Sequence, residues 1–277
     1  MVDFTKSYKD KICVVTGAAS GIGRALTLKL ATSGAVLALS DIDEAGLKET
    51  VKLAGLENSN RVMVDPFDIS KADEIAAYAP KVEAGLGAPH YVFNVAGLTR
   101  VGEFINTPLA SMEKIMDVNY WGVVRMSKAF INGLIETRGT LVNISSVFGF
   151  IGWPGQTHYC ASKFAVRGFT ETLAQELEDT GVAVCSVHPG GVSTNIARNA
   201  QIDHNRFPDR SKADLDADFD KKAITTPDKA AEIILTGAAK RNKRIVVGTD
   251  AKIMSFVQRV FPRAYTKLIK IYAKDLL

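Results

Sequence analysis

Short runs of apolar residues recur along this chain, and the interval after each is long enough to hold a helix. Ile12–Thr16, Val36–Ser40, Val62–Val64, Tyr91–Asn94, Thr140–Ile144, Val182–Val187 and Ile245–Val247 read as seven strands. The clearest helical patterns are Ile22–Ser33, Tyr159–Glu178 and a segment starting near Pro227. Strands that are apolar almost without a break suit a sheet buried on both faces. Alternating strand and helix implies parallel strands joined by right-handed crossovers. The expectation is one α/β domain over residues 1–277, a doubly wound parallel sheet of about seven strands with helices on both faces. The rhythm fails once. Between the sixth strand and Pro227 lies a long interval that includes the polar run Asp209–Lys222. Compact domains rarely keep so long an irregular segment without a use, so residues 190–226 are expected to form a substrate lid, with a plain surface loop as the alternative.

Composition narrows this little: 47% hydrophobic and 23% charged residues fit a soluble domain with a full core and exclude disorder throughout. Charge adds more. Residues 240–277 carry ten Lys/Arg against Asp250 and Asp275, a local +8, which leaves −4 on residues 1–239 from a total of +4. The basic character belongs to the tail, and the body offers nothing to a nucleic acid. That tail, residues 250–277, also places Ile253, Phe256, Val257 and Val260, then Tyr265, Leu268, Ile269 and Tyr272, at helical spacing. A basic amphipathic helix of this kind can pack on its own body, on another subunit of a homodimer or homotetramer, or on an anionic membrane surface. Three scattered cysteines (Cys13, Cys160, Cys185) fit reduced thiols better than disulfides or a metal site. With no secretory signal pattern at the start and no apolar run long enough to span a bilayer, the expected location is the cytoplasm, with membrane association left to the tail.

After the first strand comes Thr16-Gly17-Ala18-Ala19-Ser20-Gly21-Ile22-Gly23, leading straight into a helix. Glycines permit the tight turn and let backbone N–H groups approach a pyrophosphate, and the helix N-terminus supplies free donors and partial positive charge. Placed in a strand–turn–helix unit, this is the dinucleotide loop of a Rossmann fold. The second strand ends at Asp41, about twenty residues later, where a carboxylate accepts from ribose hydroxyls and repels a 2′-phosphate. Neither Ser20 nor Ile42 supplies a compensating cation, so NAD is expected rather than NADP. Asp41 could also cap the helix near Glu44.

The spacing G-x-x-x-G-x-G, then Asn94-Val95-Ala96-Gly97, Asn119, Ser146, Tyr159-x-x-x-Lys163 and Pro189-Gly190, resembles the short-chain dehydrogenase/reductase family from about Lys11 to Val247. Val95 stands where the family usually has a second Asn, and Gly191 makes an unusual Pro-Gly-Gly. The resemblance implies an NAD-dependent oxidoreductase moving hydride to or from a secondary alcohol or ketone. It implies that Ser146 binds the substrate oxygen, that Lys163 holds the cofactor ribose, and that Asn119 keeps a water against the lysine. It also implies that Pro189, Gly190, Val192 and Thr194 clamp the nicotinamide carboxamide, and that Asp68-Ile69 meets the adenine. The residues support such chemistry independently. Tyr159 and Lys163, four apart on a helix, project from one face. An adjacent ammonium, with a positive nicotinamide ring, would bring a phenol of ordinary pKa ~10 into range as a base. Taken singly, Asn119 could be no more than a polar kink in a helix and Ser146 a turn residue.

An apolar pocket wall is expected from Leu98, Phe148, Phe150, Ile151, Trp153 and Ile196, unless those aromatics belong to the core. Such a wall suits a lipophilic substrate of steroid, retinoid, acyl or aryl type more than a sugar or a phosphorylated metabolite. His158 reads as a pocket or surface residue, and Cys160 as packed behind its helix. The rival functions are a non-catalytic dinucleotide sensor and a membrane-surface scaffold.

Overall fold

The computed structural model describes residues 2–194, 200–203, 211, 213, 214, 217 and 223–272. Helix α1 (Phe4–Tyr8) precedes β1 (Ile12–Thr16), α2 (Gly21–Thr32), β2 (Val36–Asp41), α3 (Glu44–Leu53), β3 (Val62–Pro66), α4 (Ala72–Leu86) and β4 (Tyr91–Asn94). A two-residue strand β5 (Arg100–Val101) leads to α5 (Leu109–Met116), a π-helical turn (Asp117–Trp121) and α6 (Gly122–Thr137). Then follow β6 (Thr140–Ile144), α7 (Thr157–Glu176), β7 (Ala183–Pro189), β8 (Gln201–Ile202), α8 (Pro227–Ala239), β9 (Arg244–Val247), α9 (Thr249–Val260) and α10 (Tyr265–Tyr272).

The seven long strands form one parallel sheet in the order β3-β2-β1-β4-β6-β7-β9. The expected doubly wound α/β sheet is therefore present, with strand boundaries within two residues of the sequence reading. All five residues of β6 are buried, as a central strand covered on both faces requires. One face packs on α2 and α8 through Leu26, Leu30, Ile234 and Leu235. The other packs on α4 and α6 through Ile75, Val82, Met126 and Phe130. Strand order reverses between β1 and β4, so the loops after these two strands part above the sheet and leave a crevice at its C-terminal edge, the place where such sheets bind ligands.

The lid expected over 190–226 lies mostly outside the described residues, including Ile196 and most of Asp209–Lys222. Its two ends are described. Ser193 N–H donates to Thr225 O (3.0 Å) and Thr225 N–H to Gly191 O (3.2 Å), closing the base of the segment. At Gln201–Ile202 the chain pairs with Arg100–Val101 in a small parallel sheet. The bidentate Arg100–Asp203 ion pair and a bond from Ser111 Oγ to Asp203 (3.0 Å) reinforce it.

Candidate active site

The loop between β1 and α2 is built around its glycines. Gly17 has φ +68°, open to glycine at little cost, and a Cβ there would lie 2.8 Å from Ala96 N. A Cβ on Gly23 would lie 2.0 Å from the Gly17 carbonyl oxygen. Ser20, extended at the N-cap of α2, makes no side-chain capping bond, so the first-turn N–H groups remain available to an anion. Thr16 Oγ1 accepts from both Val95 and Ala96 N–H (3.0 Å each), tying this loop to the Asn94–Gly97 loop. Asn94 donates to Asn143 Oδ1 (2.9 Å) across β4 and β6.

At the end of β2, Asp41 accepts from Ala19 N–H (3.0 Å) and Asp43 N–H (3.1 Å). It does not cap α3. Asp43 does, accepting from Gly46 N–H at 2.9 Å, because it stands one residue before the helix. Arg24, the cation close to this loop, is turned to Thr50 Oγ1 and the carbonyls of Ala19 and Gly46. Exposed Ile42 follows Asp41. Asp68 accepts from Ser70 N–H (2.9 Å) and Lys114 Nζ (3.2 Å); burial pushes its pKa up, but these bonds hold it below the usual carboxylate range. Ile69 is buried against Gly122, which leaves only its backbone to a ligand.

The catalytic candidates converge at the C-terminal ends of β4 and β6. Ser146, just past β6, accepts from Phe148 N–H (3.1 Å) and lies beside the Tyr159 hydroxyl of the first turn of α7, where it favours the phenolate. Lys163, one turn on, is buried, donates to Ile144 O (3.0 Å), and lies 5.7 Å from the Tyr159 ring centre. Asn119 sits in the π-helical turn, a distortion that often marks functional positions. Its amide exchanges bonds with Leu98 N–H and C=O (2.9 Å each) and donates to Ser162 Oγ. Gly97 leaves the space in which this amide and the lysine meet: a Cβ there would be 3.1 Å from Asn119 Oδ1 and 3.5 Å from Lys163 Nζ.

Electrostatics depart from the sequence expectation. Burial raises the Tyr159 phenol to about 12, against the lowering effect of nearby Ser146, and pushes the Lys163 ammonium down to about 8. Desolvation is the largest cause of both shifts, and the lysine is turned toward the Ile144 carbonyl.

A family profile described as short chain dehydrogenase matches residues 11–205. The chain belongs to this family. Over 271 residues it is 42% identical to a putative oxidoreductase SadH of Mycobacterium tuberculosis, with 95% of each chain covered. Over 251 residues it is 32% identical to a 3-oxoacyl-[acyl-carrier-protein] reductase FabG of Thermotoga maritima, covering 88% of this chain and 98% of that one. A solved short-chain dehydrogenase/reductase from Burkholderia phymatum, in complex with NAD, superposes with TM-score 0.80 at 28% identity, covering 91% and 93%. The protein is an oxidoreductase with a dinucleotide-binding fold.

In this short-chain dehydrogenase further contacts from β7 and α9 brace the candidate site. His188 reaches Ser146 O (3.1 Å) and Ser186 Oγ (2.9 Å); burial drives its pKa down to about 3, so it is a neutral prop behind Ser146. Asp250, from the first turn of α9, accepts from Gly191 N–H at 2.6 Å. A Cβ on Gly190 would lie 2.1 Å from that carboxylate, which explains the glycine after Pro189. Val192 is buried and bridged to Thr225, and Thr194 lies within van der Waals reach of any side chain placed at Gly21. The segment 189–194 is thereby brought over the phosphate loop.

The expected pocket wall divides. Phe148 stacks on Trp153 (5.4 Å) and stands edge-on to Tyr159 (6.1 Å). Phe150 and Ile151 are core instead: they are buried with Ile269, and Phe150 packs on His188 and under Arg244. Leu98 packs partly against the core. His158 is neither pocket nor surface but buried, bonded to Arg100 O (3.0 Å) beneath the β5–β8 pair. Cys160 is buried as expected, with its thiol raised to about 11. Among the described residues no cluster of three or more metal-ligating side chains occurs.

Proposed function

We propose that this oxidoreductase moves a hydride between NAD(H) and the oxygen-bearing carbon of a lipophilic secondary alcohol or ketone, with Tyr159 passing the proton. The observation that carries the reading is the Ser146–Tyr159–Lys163 cluster with the Asn119 amide behind it, opening on the same edge of the sheet as the glycine loop.

The residues present fit a dinucleotide. The glycine loop and uncapped α2 would hold the pyrophosphate, Asp41 the adenosine ribose, Lys163 the nicotinamide ribose, and Val192 and Thr194 the carboxamide. When bound, the dinucleotide supplies the hydride acceptor and, in its oxidised form, a positive charge close to Tyr159. In alcohol oxidation the Tyr159 oxygen takes the hydroxyl proton as the C–H electron pair leaves; in reduction the same oxygen returns it. Ser146 Oγ holds the substrate oxygen, so charge developing there meets a fixed donor. Lys163 stabilises the phenolate, and buried Asn119 fixes the Leu98 backbone beside it.

The Phe148–Trp153 stack beside Tyr159 supports an apolar substrate. The FabG relative's name specifies a 3-oxoacyl substrate, which favours an acyl chain among the lipophilic classes. Asp41 lacks a free cation beside it, so NAD should bind at least about tenfold more tightly than NADP, a difference of about 1.4 kcal/mol. Calorimetric titration of both dinucleotides checks this, and Asp41→Ala combined with Ile42→Arg should shift the preference toward NADP. Equal or reversed wild-type affinities would refute the cofactor assignment.

A further inference from the structure

The tail divides into an inward and an outward part. In α10, Ile269 is only 3% exposed and seals Phe150 and Ile151, so this helix packs on its own subunit. Helix α9 does the opposite. Ile253 (55%), Phe256 (65%) and Val260 (47%) are exposed, with Phe261 (51%) just beyond, whereas Ala251 is buried toward the body. At 100° per residue the exposed apolar positions form one strip, flanked on the same face by Lys252 and Arg259. Arg263 and Lys267, also exposed, extend the cationic border, and no acidic residue occurs between Ala251 and Tyr272.

We infer that the outward face of α9 docks the enzyme on an anionic lipid surface. Apolar side chains projecting from a helix with a cationic edge match the interface of such a bilayer, where the aromatic and aliphatic groups enter the headgroup boundary and the cations meet acidic headgroups. A second copy of this chain fits less well. A two-fold contact would set the strip against itself and bring Lys252, Arg259 and Arg263 toward their own counterparts, with no carboxylate on the face to offset them. The contact is peripheral, since no helix among the described residues is long and apolar enough to cross a membrane. Helix α9 starts at the catalytic edge, where Asp250 holds Gly191, so the docking face and the site share one end of the molecule. The inference stands independently of which substrate the site takes.

The test is sedimentation of the full chain with phosphatidylcholine vesicles, with and without phosphatidylglycerol. Wild type should pellet with the anionic vesicles, stay in solution with the neutral ones, and release as salt is raised. Lys252→Glu with Arg259→Glu should weaken partitioning about tenfold or more, since each cation near such a surface is worth roughly fivefold. Phe256→Ser with Val260→Ser should also abolish pelleting. Unchanged melting temperature and NAD affinity would show that each variant is folded, and the charge variant alone suffices if the apolar one is not. No binding by wild type, equal binding to neutral vesicles, or full binding by the folded charge variant would overturn the inference. So would a change in the mass of the soluble protein on substitution without lipid binding, which would make the face a protein interface.

Discussion

Tyr159→Phe should leave a folded protein that still binds NAD and has lost about 10²-fold or more in turnover. The substitution removes one oxygen and keeps the ring that stands edge-on to Phe148. What it deletes in the fold is a hydroxyl beside Ser146, and a single polar contact of that kind is worth about 1 kcal/mol. What it deletes in the chemistry is the group that exchanges a proton with the substrate oxygen, and a positioned proton-transfer group contributes about 10²–10⁴. Wild-type alcohol oxidation should rise with pH, because the tyrosine must be deprotonated to act as base. Its limb should fall below the value of about 12 that burial imposes on the phenol, because the positive ring of oxidised NAD favours the phenolate. Single-turnover kinetics across pH check both statements.

Lys163→Ala should damage two functions at once. The amine is buried between the Ile144 carbonyl and the Tyr159 ring, close to the space left by Gly97. Its loss should weaken NAD binding, cut turnover by about 10² or more, and move the alkaline limb to higher pH, since the phenolate loses its neighbouring cation. Lys163→Met separates charge from volume: it refills the cavity yet should keep the displaced limb. Combined with Tyr159→Phe, the lysine substitution should cost much less than the product of the two effects, because the residues act as a unit. Calorimetry and pH–rate profiles of the single and double variants are the measurements required.

The fold was legible because its signals are local. A buried parallel strand such as Thr140–Ile144 announces itself by continuous apolar residues, and the glycine loop by its place between strand and helix. The clustering of the motif-bearing candidates was legible too: Ser146, Tyr159, Lys163 and Asn119 are brought together in space. Supports made by distant chain segments were not. Asp250 holds Gly191 from another helix, and nothing in the spacing of Pro189-Gly190-Gly191 names the carboxylate that displaces a Cβ there. His188 looks like part of a strand end until its ring is seen on the Ser146 carbonyl. Phe148 and Phe150 are two apart and chemically alike, yet one meets Tyr159 and the other the core beneath α10, a division set by a short 3₁₀ turn (Val147–Gly149) that periodicity does not reveal. The reading of Tyr159 missed burial for a related reason: the opposite effects of desolvation and a nearby charge can be weighed only when both environments are known.

The central claim is hydride transfer at this site, and isotope transfer tests it directly. A panel of lipophilic secondary alcohols carrying deuterium on the carbinol carbon would be incubated with the enzyme and NAD, and the reduced dinucleotide analysed by mass spectrometry. The account predicts that at least one alcohol delivers its deuterium to the nicotinamide, at a rate at least about 10²-fold lower in folded Tyr159→Phe. It would be contradicted by the absence of deuterated dinucleotide across the panel, or by transfer at an undiminished rate in that variant.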